Sequence, residues 1–83
     1  MKIREAIFKK AMELLGGRES IAYNIPDIAE QVYQDIIYQV KRQFGIKKFE
    51  EIYMEDEDVV LDIIENAKLP LYLESQVLIF NEE

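Results

Sequence analysis

Glu55, Asp56, Glu57 and Asp58 stand in a row, with Asp62 one helical turn further along, and no other stretch of the 83 residues gathers groups able to hold a cation or move a proton. Hard carboxylate oxygens suit Ca²⁺ or Mg²⁺. The run lacks, however, the alternating Asp or Asn ligands and the central Gly with which an EF-hand loop wraps its ion. Acid–base work by paired carboxylates needs surroundings that drive their pKa values apart, and consecutive acids on a solvated helix start have no such asymmetry. The run is expected to bind no metal and to begin a helix, where the dipole favours negative charge.

Nucleophiles are scarcer still. Ser20 and Ser75 are the only serines, and the chain has neither His nor Cys. The commonest general base and metal ligand is therefore absent, and thiol catalysis, thiolate metal sites and disulfides are excluded. Nothing in the spacing supports a Ser–Lys pair. Gly16-Gly17 follows an amphipathic segment, whereas a phosphate-cradling loop precedes its helix. The expectation is a chain that is not an enzyme, with no catalytic residue, cofactor or metal.

Charge is divided unevenly. Residues 1–24 carry five basic and three acidic side chains, a balance of +2, while residues 45–83 carry three Lys against eleven acids, a balance of −8. A net charge of −7 has the wrong sign for generic phosphate-backbone contact, so no direct binding to nucleic acid is expected. The same acids suggest a different partner. Glu55, Asp58, Asp62 and Glu65 recur at three- and four-residue spacing, an acidic face that an inhibitor or nucleic-acid mimic would offer to a basic groove. No apolar run approaches the roughly 20 residues of a membrane span, and residues 1–15 mix Lys, Arg and Glu through their apolar positions, unlike a signal peptide. A soluble, cytoplasmic protein without membrane contact is the expectation.

One domain, residues 1–83, must position these groups. A chain this short buries only about 60–65% of its unfolded surface, but an apolar fraction of 49% supplies a core. Ile3, Ile7, Ala11, Leu14 and Leu15 share one face of a helix over residues 2–15, stopped by Gly16-Gly17. Phe8 lies off that stripe, as an interface residue or a widening of the buried face. Asn24 is placed to cap a second helix from Pro26 to Phe44, ended by Gly45, along which Ile28, Ala29, Val32, Tyr33, Ile36, Ile37, Val40 and Phe44 repeat. Residues 46–54 fit either a short helix or an extended run. Val59, Val60, Ile63, Ile64 and Ala67 form the buried stripe of a third helix ending near Lys68, because Pro70 restricts Leu69. The fold class is all-α, a small three- to four-helix bundle.

The stretch "LPLYLESQVLIFNEE" reads as a last helix opening at Pro70, with a β-prone strand over residues 76–80 as the minor alternative. Its apolar residues nearly surround the axis, the pattern of a central core helix or of half an intermolecular interface. Leu73, Val77 and Phe80 share a stripe and are assigned to the core. Leu71, Leu78 and Ile79 fall away from it and are assigned to a partner interface with Tyr72 at the rim. Tyr38, on the polar side of the second helix, is a further interface candidate. The partner is another protein or a second copy of this chain.

In order, "IFKKAMELLG", "AYNIPDIAEQVYQDI", "EDEDVVLDII" and "LPLYLESQVLIFNEE" resemble the small head–tail connector or packaging-accessory proteins of tailed phages and prophages of Gram-positive bacteria. In those proteins a Leu-Pro-x-Tyr-Leu-like stretch opens a late helix and acidic residues follow its apolar run. Leu69, Pro70, Tyr72, Leu73, Leu78, Glu82 and Glu83 match that stretch, and Tyr23, Pro26 and Ile28 match the start of the long helix. The resemblance implies a helical structural or assembly component without catalytic residues. It would assemble on itself or on a portal, and so be carried in a virion rather than remain in the cytoplasm.

Overall fold

Glycines at two helix ends and a proline at one start frame the first half of the molecule. In a computed structural model, which describes residues 2–82, α1 spans Lys2–Leu14 and α2 spans Pro26–Phe44. Both close in Schellman fashion. After α1, the Gly16 and Gly17 amides donate to the carbonyls of Glu13 and Met12, and after α2 the Gly45 and Ile46 amides donate to those of Arg42 and Lys41. Gly16 and Gly45 sit at φ values of +103° and +65°, a left-handed region that costs a residue with a Cβ about 1–2 kcal/mol. The first helix stops one residue short of the expected Leu15, which instead donates its amide to Ala11 as the helix closes.

Single 3-10 turns at Ala22–Asn24, Phe49–Glu51 and Met54–Asp56 occupy the connectors, α3 spans Glu57–Glu65 and α4 spans Leu71–Glu82. No strand occurs among the described residues, so residues 76–80 are helical. The fold is the expected small all-α bundle, with four helices.

α2 is the spine. Ile28, Val32, Ile36 and Val40, at successive four-residue steps, are all buried. α1 and α3 pack on α2 and on each other through Ile7, Ala11, Val60 and Ile64. α4 runs antiparallel to α2. Gln39 Nε2 donates to the Lys68 carbonyl at 2.9 Å just before α4 begins, and Asn81 near its end reaches the connector before α2. The core is wholly apolar among the described residues, and each fully buried Leu, Ile or Val contributes about 1.5–3 kcal/mol.

Three further expectations are corrected, and the choice left open for residues 46–54 is resolved. Asn24 does not cap α2: its side chain donates to the Ser20 and Arg18 carbonyls, and Ile25 stands at the cap position with no side-chain bond. Pro26, with no N–H to satisfy, makes that cap less necessary. α3 ends at Glu65 rather than near Lys68, because Asn66 turns the chain. Its amide and its side chain both donate to the Asp62 carbonyl, and Ala67 follows with a tight bond to Ile64. Val59, assigned to the buried stripe, is 54% exposed. α3 is only nine residues long and seats one edge, Val60 and Ile64, in the core. Residues 46–54 are neither one helix nor one extended run: a 3-10 turn at Phe49–Glu51 precedes extended Ile52 and Tyr53. Lys41 Nζ, 5.7 Å from the Phe49 ring centroid, holds that turn against α2.

Candidate functional site

α4 is built with two apolar faces. At 100° per residue, Leu73, Val77, Phe80 and Asn81 occupy an arc of roughly 100°, and Leu71, Tyr72, Ser75, Leu78 and Ile79, with the exposed Glu82 among them, occupy another of roughly 120°. The first set faces the protein: Leu73 and Val77 are buried and Phe80 is half-buried against the core. The second set faces outward, with Leu71 81% and Ile79 58% exposed and Tyr72 and Leu78 similarly open. Large apolar side chains gathered on one face of a helix, with no protein over them, form the kind of patch that marks an interaction surface.

Two features fix the helix in this orientation. Asn81 is half-buried, its Nδ2 donating to the Leu15 carbonyl and its Oδ1 accepting from the Ala22 amide, each at 2.8 Å. Pro70 supplies the carbonyl that receives the Leu73 and Glu74 amides and starts the first turn. Leu73 faces inward at one end and Asn81 at the other, so the intervening turns cannot roll.

The remaining proposed interface residue, Tyr38, lies on α2 and is exposed. Its ring is covered by the Arg42 guanidinium at 5.5 Å, a partner from its own helix. It adjoins Gln39, which ties α2 to the start of α4.

On the acidic face, Glu55, Asp58, Asp62 and Glu65 are all exposed. Asp58, Asp62 and Glu65 share one side of α3, while Glu55 sits in the 3-10 turn before it. Glu57 and Asp58 form the first acidic turn of α3, where they complement the dipole. Among the described residues, no group of three or more acidic side chains is arranged to hold a metal ion. The lone ion pair among them, Lys10–Glu13 at 3.5 Å, belongs to α1.

One carboxylate has a defined structural task. Glu51 Oε2 accepts from the backbone amides of Lys47 at 2.7 Å and Lys48 at 2.9 Å, closing the 3-10 turn. Those bonds, the one from Lys48 foremost, hold its pKa below the ordinary glutamate value.

Sequence reasoning offered Phe8 as an interface residue or a widening of the buried face, and did not find the groove that it lines. Phe8 is exposed, yet its ring meets Tyr33 with centroids 4.7 Å apart. The pair lines a groove of about 640 Å³ between α1 and the first half of α2, together with Met12, Tyr23, Lys9, Arg18 and Glu30. The signal was present in Phe8 lying off the α1 stripe, four residues before Met12.

These features define a small helical module with exposed apolar surface and, among the described residues, an apolar core. The chain belongs to the ORF6C domain family, whose model matches residues 1–77. The family is associated with phages and prophages, and the match singles out neither head–tail connectors nor packaging accessories among their proteins. No curated protein and no solved structure matches the chain significantly. No helix among the described residues is long and apolar enough to cross a membrane.

Proposed function

We propose that this chain is a non-enzymatic protein–protein interaction module of a phage-type system, docking through the outer face of α4. The observation that carries the reading is the outward set Leu71, Tyr72, Leu78 and Ile79 on a helix whose other face is already spent on the core. Leaving four large apolar side chains in water forgoes burial that would stabilise a small domain, whereas covering them with a partner recovers it. A non-catalytic role is supported by the absence of His and Cys from the sequence. No polar or charged side chain is desolvated in the described core, where an acid or base would be tuned. The balance of charge argues against direct nucleic-acid contact.

The finer reading, a structural or assembly component of the connector or packaging-accessory kind, rests on the sequence resemblance. It makes self-association its first requirement, in the cytoplasm or in a virion. A native mass measurement of assembly state tests the module directly. The wild type is expected to form complexes with itself or with a phage-type partner, and Leu78→Glu with Ile79→Glu to abolish them. Complexes unchanged by both substitutions would contradict the reading.

The exposed acids of α3 favour a second reading, an inhibitor or nucleic-acid mimic for a basic groove. α3 is only about 13 Å long, so Asp58, Asp62 and Glu65 present a short charged face. Binding by that face would weaken steeply with salt, while binding by α4 would change far less.

A further inference from the structure

We infer that the outer face of α4 in one copy docks into the α1–α2 groove of the next, a head-to-tail contact between copies of this chain. The inference rests on the docking reading above and names its partner.

Charge complementarity selects the occupant. α4 carries Glu74 and Glu82 and no basic residue, so two α4 faces set against each other would juxtapose like charges, which disfavours a symmetric pairing. The groove offers the opposite character. Its walls are Phe8, Met12, Tyr23 and Tyr33, and Lys9 and Arg18 outnumber Glu30 among its charged residues. The same division runs through the whole chain, with a balance of +2 over residues 1–24 and −8 over residues 45–83.

Placement agrees. On α2, Pro26, Ala29 and Tyr33 line the groove, whereas Ile28, Gln31 and Gln39 lie toward α4. These sets point roughly 150° apart on the helical wheel. Two different patches on different sides give a heterologous contact, which repeats into a ring if the rotation closes and a filament if it does not. The fit is that of a helix in a groove. Leu71, Ser75 and Leu78 fall at i, i+4 and i+7, with the small Ser75 between two apolar anchors. One helix face buries less than roughly 1,200 Å², so the contact is weak and concentration-dependent.

The test uses two variants, each blocked on one side: Leu78→Glu with Ile79→Glu on α4, and Phe8→Glu with Arg18→Glu in the groove. Circular dichroism establishes that each is folded, and sedimentation velocity over a concentration series reads assembly. The wild type is expected to self-associate and each variant to be monomeric. An equimolar mixture should form a one-to-one dimer and stop there, since only one intact face and one intact groove remain. If Phe8→Glu disturbs the fold, Lys9→Glu with Arg18→Glu carries the test, weakening association several-fold, with rescue by Glu74→Lys and Glu82→Lys. A groove variant that assembles like the wild type, or a mixture that stays monomeric, overturns the head-to-tail contact but leaves docking by α4 standing. A wild type monomeric at every concentration overturns the inference as well, and docking by α4 then stands only with a different partner. Assembly indifferent to both variants overturns both readings.

Discussion

Asn81 holds the Ala22 amide across fifty-nine residues of chain, accepting its hydrogen bond at 2.8 Å while its own amide donates to the Leu15 carbonyl. Ala22 is fully buried, so this one side chain satisfies a backbone donor that water cannot reach. Asn81→Ala is expected to cost about 1–3 kcal/mol, since the orphaned amide bears the full desolvation penalty. The Leu15 carbonyl suffers less because the Ser20 hydroxyl also donates to it. Urea denaturation measures the loss, and hydrogen exchange should show faster exchange at Ala22. An unchanged Ala22 rate would mean that α4 is held by apolar packing alone.

Gly16 is constrained twice. Its φ is +103°, and a Cβ there would lie 2.8 Å from Asn81 Nδ2 and 3.2 Å from Ser20 Cβ. Gly17, at +102°, has open space around it. Both Gly→Ala changes should cost about 1–2 kcal/mol for the backbone conformation, with Gly16→Ala clearly the worse. The excess should shrink in an Asn81→Ala background, because the clashing atom is then gone. Equal costs for Gly16→Ala and Gly17→Ala would contradict the close approach.

A buried position on α2 and an exposed one on α3 should separate cleanly in energy. Ile36 is fully buried and Val59 is 54% exposed. Ile36→Ala should cost roughly 2–5 kcal/mol and Val59→Ala less than about half a kcal/mol, measured by thermal or chemical unfolding. A large cost at Val59 would place the exposed edge of α3 in a core.

Glu51 makes the turn at Phe49–Glu51 pH-sensitive. Its pKa is lowered in the folded protein, so its contribution is complete above the ordinary glutamate value and is lost as pH falls through the depressed one. The amide shifts of Lys47 and Lys48 should therefore titrate together at a midpoint below that of an ordinary glutamate. Glu51→Gln should remove the titration. A midpoint at or above the ordinary value would mean the two bonds are not held in solution.

The helices were legible wherever a backbone-specific residue marked an end. Pro26 and Gly45 bracket α2, and Gly16-Gly17 ends α1, because proline and glycine act through their own torsions and need no tertiary neighbour. The split of α4 into Leu73 and Val77 on one side and Leu71, Leu78 and Ile79 on the other followed from spacing alone. Features that depend on distant neighbours were not legible. Nothing near Asn81 in the chain announces Ala22, and nothing near Phe8 announces Tyr33. Val59 was misplaced because α3 is too short for periodicity to separate a buried edge from an exposed one. Asn66 did carry a local signal, since a short amide competes for helix carbonyls, but Pro70 drew the expected end toward itself.

The most direct test of the account compares two pairs of substitutions on α4, following folding by circular dichroism and assembly by sedimentation velocity. Leu78→Glu with Ile79→Glu should leave the domain folded and abolish assembly or partner binding, because charge is tolerated in water but costly in a desolvated contact. Leu73→Glu with Val77→Glu should unfold the protein, since both residues are buried. Equal unfolding by both pairs would make α4 a core helix without a partner, and a folded, fully assembled Leu78→Glu, Ile79→Glu variant would contradict the docking face outright.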